Sequence, residues 1–558
     1  MKIAFRTSAV LFAFFPSLLL AQTSGTAPAA KDAPTTAAAA AGPVVADIKP
    51  APYRAKIYYS QNLGHHRFDM RDATILDLIA FAYDRRDDTI LGGPTWIELD
   101  RFDVAAKIDS LEPQKYSAPS ADGPTTSNNP YKTIEPVIKR VLEERFQLKT
   151  HIEQRSMPGY TLTVAKDGLK ATEAKDPAAL PGCHFEQDKA VPGGEIITCT
   201  SQTATELVKE FGGVYPHELI DRTGLTKAYD FTMHMSFANL NTRDEYIRVY
   251  TDALRQLGFI VAPGDVPQPA LVVDSVQRPS PNQPDIAMLI PPPLDLEFEV
   301  ATIKPAAEGE QPDRMRATAT EITFTAFTVQ GLLTRAFQFP TGAMISNRPP
   351  WLNVARYTVL VKLPPDIDGR ALYQSQDEIA IMLQKLMADR FGLKYHWGEQ
   401  TLDGWVLLGG TPKMKKADPN SRSFCKWGAP PGEKDVASGP DSPYDNESHC
   451  QNVTMAQFAD MMQAITGSDI KYRVFDKTNL AGSWDLTLYY SSAAKLRAAA
   501  LAADAKAKEA GADATADPVG GLSLQDAVRK ELGIQLVKQP ETYPALVLDH
   551  IEQTPTEN

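Results

Sequence analysis

The feature that most constrains this chain is that it repeats itself. Val45-Ala46-Asp47-Ile48-Lys49-Pro50 returns 255 residues later as Val300-Ala301-Thr302-Ile303-Lys304-Pro305, with five of the six residues identical. Trp96, followed by Arg101-Phe102-Asp103-Val104, returns at the same spacing as Trp351, followed by Arg356-Tyr357-Thr358-Val359. Arg145-Phe146-Gln147-Leu148-Lys149-Thr150-His151 matches Arg390-Phe391-Gly392-Leu393-Lys394-Tyr395-His396 at a spacing of 245. Asp221, Thr223, Leu225 and Asp230 match Asp476, Thr478, Leu480 and Asp485, and Pro269–Asp274 returns as Pro544–Asp549. The order of motifs is kept throughout, which is the mark of a tandem duplication. Whatever fold the first copy adopts, the second must adopt as well.

Length changes between the copies fall where composition reads as loop, because surface loops absorb insertions and cores do not. The first copy is longer in the Ser/Pro/Asn-rich stretch 110–130. The second is longer between its cysteines and in an Ala/Lys/Asp stretch at 493–517. Five segments follow: an export signal at 1–21, an Ala/Thr/Pro linker at 22–43, a first repeat domain at 44–282, a Pro-rich spacer at 283–297 and a second repeat domain at 298–558. Pro279, Pro281, Pro284 and Pro291-Pro292-Pro293 favour an extended, semi-rigid spacer between the copies.

Within each copy the apolar spacing alternates between helical and strand periods. Ile75, Leu78, Ile79, Ala82 and Tyr83 recur at helical intervals, as do Ile134, Val137, Ile138, Val141 and Leu142. Thr133 stands where it would cap the second of these helices, and Pro136 falls in its first turn, where a missing N–H costs nothing. Ala204, Leu207, Val208 and Phe211 form a third stripe, and Tyr246 to Leu257 a fourth; each has a counterpart in the second copy. Short β-branched runs such as Tyr160–Val164 and Ala270–Val276 read as strands. The fold class is α+β, with an echo inside each copy that suggests two βαββ-like units per copy.

The N-terminus carries Lys2 and Arg6 ahead of an apolar run from Ala9 to Leu20 and a small residue, Ala21, at the expected cut. That run is shorter than the ~20 residues needed to span a bilayer. An extracytoplasmic, periplasmic or secreted protein is expected, without an integral membrane segment after signal cleavage. The chain of 558 residues has a formal charge of −12 at pH 7, which argues against nucleic acid as a partner.

The Val-Ala-x-Ile-Lys-Pro opening, the Gly93-Pro94-x-Trp96 step, the Arg-Phe-x-Leu-Lys-x-His run and the Asp-x-Thr-x-Leu turn resemble a soil-associated bacterial secreted protein family of unknown function. The resemblance covers nearly all of 44–282 and 298–558, as two family domains in tandem, and it implies no catalytic residues. The second copy departs from the pattern at Asn347-Arg348-Pro349-Pro350 and at Thr358. The helix-then-strand units are also similar in pattern to the short N-terminal domain of secretins and TonB-dependent receptors, a periplasmic interaction module.

Cys183, Cys199, Cys425 and Cys450 fall two to a copy, and in an exported chain they read as one disulfide each. A metal site using His184 and His449 would match no zinc framework, so no metal and no cofactor is expected. His151 and His396 recur in register beside Arg145 and Arg390; a general base is one reading, and a partly buried histidine past a helix end is the favoured one. His65-His66 reads as an exposed loop. Trp96 and Trp351 read as core packing rather than sugar platforms, and Asp221 and Asp476 as backbone-bonding turns rather than acid–base carboxylates. Ser492-Ala493-Ala494-Lys495 fits a serine-nucleophile pattern but lacks its companion motifs and any counterpart in the first copy. The expectation is an exported, non-enzymatic protein that binds an envelope protein or cell-wall ligand; the alternative is a secreted hydrolase acting on glycan or peptide.

Overall fold

Four times along the chain a β-strand breaks its register, and a threonine then caps a helix. The computed structural model describes residues 43–51, 60–64, 66–108, 134–177, 179, 181–188, 190–238, 243–291, 297–363, 376–428, 442–466, 469–510 and 521–556. The capping residues are Thr74, Thr203, Thr328 and Thr454, each accepting a backbone N–H three residues on. Three of them form full capping boxes, with Asp77, Glu206 and Gln457 reaching back. Burial raises the Asp77 carboxyl above its ordinary value, and its bonds to Thr74 pull in the other direction.

Two residues before each cap the backbone turns left-handed, at Asp72, Ser201, Ala326 and Asn452. The strand pairing slips at that point in all four cases. A bulge of this kind turns an N–H out of the ladder and leaves it needing a partner. Asp103, Asp230 and Asp485 supply a carboxylate oxygen at 2.8, 2.9 and 2.9 Å. In the remaining unit the hydroxyl of Thr358 accepts from Ala326 at 3.0 Å and donates onward to Glu310. The departure from the family pattern at Thr358 is therefore a different solution to one backbone problem.

Each of the four units is a four-stranded antiparallel sheet with helices packed against it. In the first unit the strand order is Ala46–Pro50, Arg101–Lys107, Arg67–Thr74, Ser60–Gly64, with helices Ile75–Tyr83 and Glu135–Arg145. The second unit of the first copy places Gly194–Gln202 and Tyr229–Ser236 at its centre, with helices Ala204–Gly212 and Arg243–Gln256. The second copy repeats both arrangements. The α+β expectation and the half-repeat thus hold.

The two units of a copy interlock through long strands. Lys149–Val164 pairs antiparallel with Phe259–Ser275 along nearly its whole length. The short strand Ile90–Gly92 from the first unit adds parallel to Leu271–Val273 from the second, and Leu219–Asp221 from the second adds to Tyr160–Leu162 from the first. Lys394–Leu408 and Gln535–His550 do the same in the second copy, flanked by Ile345–Ser346 and Phe475–Lys477. Each unit's core is completed by the other: Leu271, Val273 and Val276 enter the first core, and Leu162 enters the second. A half-unit cut out alone would lose part of its own interior.

These strands are far longer than the runs 160–164 and 270–276 expected from the sequence. Their middle sections carry Pro158, Gly159, Pro263, Gly264, Pro267 and Pro269, which hide the alternating pattern. In a two-stranded stretch one side of each strand has no neighbour, so a proline there removes no ladder bond. Gly159 and Gly404 recur because side chains of the facing strand crowd the ribbon there; a Cβ on Gly159 would overlap Val266, and one on Gly404 the Tyr543 hydroxyl. Burial pushes that phenol up to about 12.

Other expectations need adjustment. Helix Glu135–Arg145 begins at Ile134 with no side-chain cap, with Pro136 in its first turn; Thr133 lies outside the described residues. The last helical stripe of the second copy is one α-turn, Leu524–Ala527, opening into a wider π-turn over Val528–Leu532. The Ala-rich insertion forms helix Ala493–Ala510. In the spacer, Ile286–Leu289 is a helical turn rather than extended chain, and Ile286 and Ile290 pack on Ala105 and Val45. The export signal, the 110–130 stretch and His65 fall outside the described residues. No helix among those described is long and apolar enough to cross a membrane.

The copies also touch. Glu98 of the first, nearly buried, forms ion pairs with Lys426 at 2.5 Å and Arg422 at 3.6 Å of the second. Arg422 further donates to the carbonyls of Ile90 and Gly92, and the Ser423 N–H donates to the Thr95 carbonyl at 2.9 Å. Leu99 packs onto the core of the second copy's second unit. Burial by itself would push the Lys426 ammonium down, but Glu98 and then Asp87 lift it above its ordinary value.

Candidate functional site

The recurrent polar residues divide into those that hold the scaffold and one pair that faces water. Arg145 leaves the end of its helix and donates to the Ala46 carbonyl, to Ser280 through Nε and Nη2, and to Asn282 at 2.9 Å. Arg390 repeats this on Ala301 and Thr556. Each arginine ties the first strand of its copy to the segment after the last one. Burial draws the Arg145 guanidinium below its ordinary value, partly offset by Asp47. Neither arginine is brought to the histidine that follows it in sequence.

Asp221 accepts from the N–H and hydroxyl of Thr223 at 2.8 and 2.7 Å, and Thr223 accepts from Leu225 N–H. Asp476, Thr478 and Leu480 repeat the arrangement. These are turn-forming bonds, as the sequence suggested, and they occupy the carboxylates. Trp96 sits in a 3-10 turn against the first core, edge-on to Phe102, with the Arg278 guanidinium over its ring at 4.8 Å. Trp351 packs against the corresponding core of the second copy.

His151 and His396 are not the partly buried residues expected. They stand on the long strands with side chains 52% and 59% exposed. Nδ1 of His151 meets Asp274 at 2.8 Å, and Nδ1 of His396 meets Asp549 at 2.9 Å. His151 is directly opposite Val272 in the ladder, so Asp274 is its diagonal neighbour on the same face. A histidine held by a carboxylate has its tautomer set and could act as a base. Among the described residues, however, the other nitrogen of neither ring meets a hydroxyl or thiol. The Asp274 and Asp549 partners were present in the recurring Pro-Ala-Leu-Val-x-Asp run, but strand register is needed to pair them.

The cysteines pair within copies, Cys183 with Cys199 and Cys425 with Cys450, each directly opposite in a hairpin. His184 pairs with Glu186, and His449 Nδ1 with the Gly428 carbonyl; no cluster of three metal-ligating residues occurs among the described residues. Ser492 bonds Asp445 and caps its helix, while the Lys495 ammonium donates to the carbonyls of Ser442 and Tyr444 instead of reaching the serine. His66 occupies an exposed left-handed turn position.

The sequence reading missed a cluster of rings on the second copy. Phe337, at the end of helix Val329–Ala336, lies 4.9 Å from Tyr395 and 6.1 Å from Trp397, and Phe339 lies 5.9 Å from Trp397. Trp397 is 57% exposed. In register, the first copy has Ile152 at the Trp397 position and Thr150 at the Tyr395 position. The signal available in sequence was this divergence inside an otherwise matching run.

No curated protein and no solved structure matches the chain. A family model does, over 76–276 and again over 330–551, each stretch running from the first helix of a copy to the end of its second long strand. Both copies, and with them most of the chain, therefore belong to the protein family of unknown function DUF3738.

Proposed function

We propose that this chain is an exported, non-enzymatic binding protein of the cell envelope, and that its partner, an envelope protein or a cell-wall polymer, meets the ring cluster around Trp397. The observation that carries the reading is the half-exposed Trp397 supported by Phe337, Phe339 and Tyr395. A large, rigid ring with one open face is the residue type that dominates recognition surfaces. The recurring arginines, aspartates and tryptophans support the same reading, since each is committed to the scaffold. A disulfide in each copy fits an oxidising compartment.

The His151–Asp274 and His396–Asp549 pairs favour a second reading, hydrolysis of glycan or peptide. One experiment separates the two. Mature protein is immobilised and exposed to solubilised envelope, alongside Trp397→Ala and, as a control on another sheet, Trp427→Ala. Binding through the ring cluster predicts retention of a defined component by the parent and by Trp427→Ala, and its loss with Trp397→Ala. Equal retention by all three removes the ring cluster from the reading. Release of soluble fragments that stops with His396→Asn assigns the hydrolase instead.

A further inference from the structure

The contact between the copies has an internal control, because each of its two faces exists twice. The first copy offers a step, residues Thr95 to Leu99, whose carbonyl, carboxylate and apolar side chain receive the second copy's disulfide hairpin at Arg422, Ser423 and Lys426. The equivalent step in the second copy is Pro350 to Val354, and in sequence the hairpin's positions 422–426 match 180–184 of the first copy.

Neither free face keeps the chemistry of the joined one. Glu98, the carboxylate at the centre of the contact, corresponds to Asn353. Leu99, packed on the neighbouring core, corresponds to Val354, which is 72% exposed. Aligned on the cysteines in sequence, Arg422 matches Leu180, and Lys426 matches His184, whose ring is taken by Glu186. Ser423, whose N–H bonds the Thr95 carbonyl, corresponds to Pro181, which has no N–H to donate. A head-to-tail contact between like modules propagates unless its outer faces are altered. Here the Ser423 and Lys426 donors and the step's carboxylate are replaced at the outer faces, and in sequence the Arg422 donor is replaced by a leucine.

We infer that the Thr95–Leu99 step is a docking surface for a basic, disulfide-pinned hairpin of its own family, and that this pairing joins the two copies once and stops there. Glu98 is the specificity-determining residue, since an unpaired charge left in the contact penalises any hairpin without Arg422 and Lys426. Exposed Val354 is what remains of the same surface when its charge partner has been removed.

The test uses the full chain with a protease site placed at 292–296 and cut after folding. At low salt the two fragments should co-elute as one species on size exclusion, and raised salt should loosen them. Glu98→Arg should shift them to two separate peaks, and adding Arg422→Glu and Lys426→Glu to that variant should restore co-elution. Circular dichroism of the uncut variants identifies any that fail to fold, and the charge-reversed triple variant then decides alone. In a second arm, Leu180→Arg, Pro181→Ser, His184→Lys and Asn353→Glu together should turn a monomeric uncut chain into concentration-dependent oligomers. Separation of the cut parent at low salt, co-elution of a folded Glu98→Arg variant, or oligomers of the uncut parent would each overturn the inference.

Discussion

At the bulge before the first helix, one copy uses Asp103 and the other Thr358, and both hold the same turned-out N–H. At the fourth residue of the first long strand the copies part company, with Ile152 in one and Trp397 in the other, both about half exposed. The first difference is tolerated because the backbone demands an acceptor and either oxygen is one. The second is free to occur because no buried partner depends on it. Divergence between duplicated copies is thus informative only where the scaffold does not explain it, and by that measure the ring cluster and the step at Glu98 stand out.

The comparison can be broken most decisively through the disulfides. Alkylation mass spectrometry of mature protein should find no free thiol, with peptides linked 183–199 and 425–450. Replacing either pair with serine should cost roughly 3 kcal/mol in urea unfolding, by the loop-entropy estimate. A copy that unfolds no more easily without its pair would show that the two are not built alike. Next in size come the bulge acceptors. Asp103→Ala, Asp230→Ala and Asp485→Ala should each cost about 1–3 kcal/mol, because a partly buried N–H is left without an acceptor. Asp103→Thr should recover most of that loss, and failure to do so would mean Thr358 works only through its bond to Glu310.

The helix caps sharpen the picture further. Thr74→Ala, Thr203→Ala and Thr454→Ala should lose about 1 kcal/mol each in thermal or urea unfolding. Thr328→Ala should lose less, since Gly331 provides no returning side chain. The smallest effect is expected at the histidines. His151→Asn and His396→Asn remove exposed histidine–aspartate contacts and should change stability by no more than ~1 kcal/mol. A much larger loss at only one of them would mark that copy's pair as holding more than the strand surface.

Much of the fold was legible because duplication prints the same periodicities twice. The stripes at 75–83 and 204–211, and their counterparts, sit on helices where the apolar spacing put them. The capping boxes could also have been read, as a threonine followed three residues later by Asp, Glu or Gln. The long ribbons could not, since proline and glycine in their middle sections mimic loop. The histidines were misjudged because their position after a helix suggested burial, whereas the strand they occupy turns them outward.

By itself, then, the sequence determined the duplication, the α+β units, the disulfide partners within each copy and the structural use of Asp221 and Asp476. All of these rest on short-range patterns or on matching one copy with the other. Only the tertiary structure decided that short strands cross to complete the other unit's sheet, that His151 meets Asp274, that Trp397 joins Phe337 and Phe339, and that Glu98 meets Lys426. Each of those pairs residues far apart in the chain, where register and packing select the partner and no local periodicity records the choice.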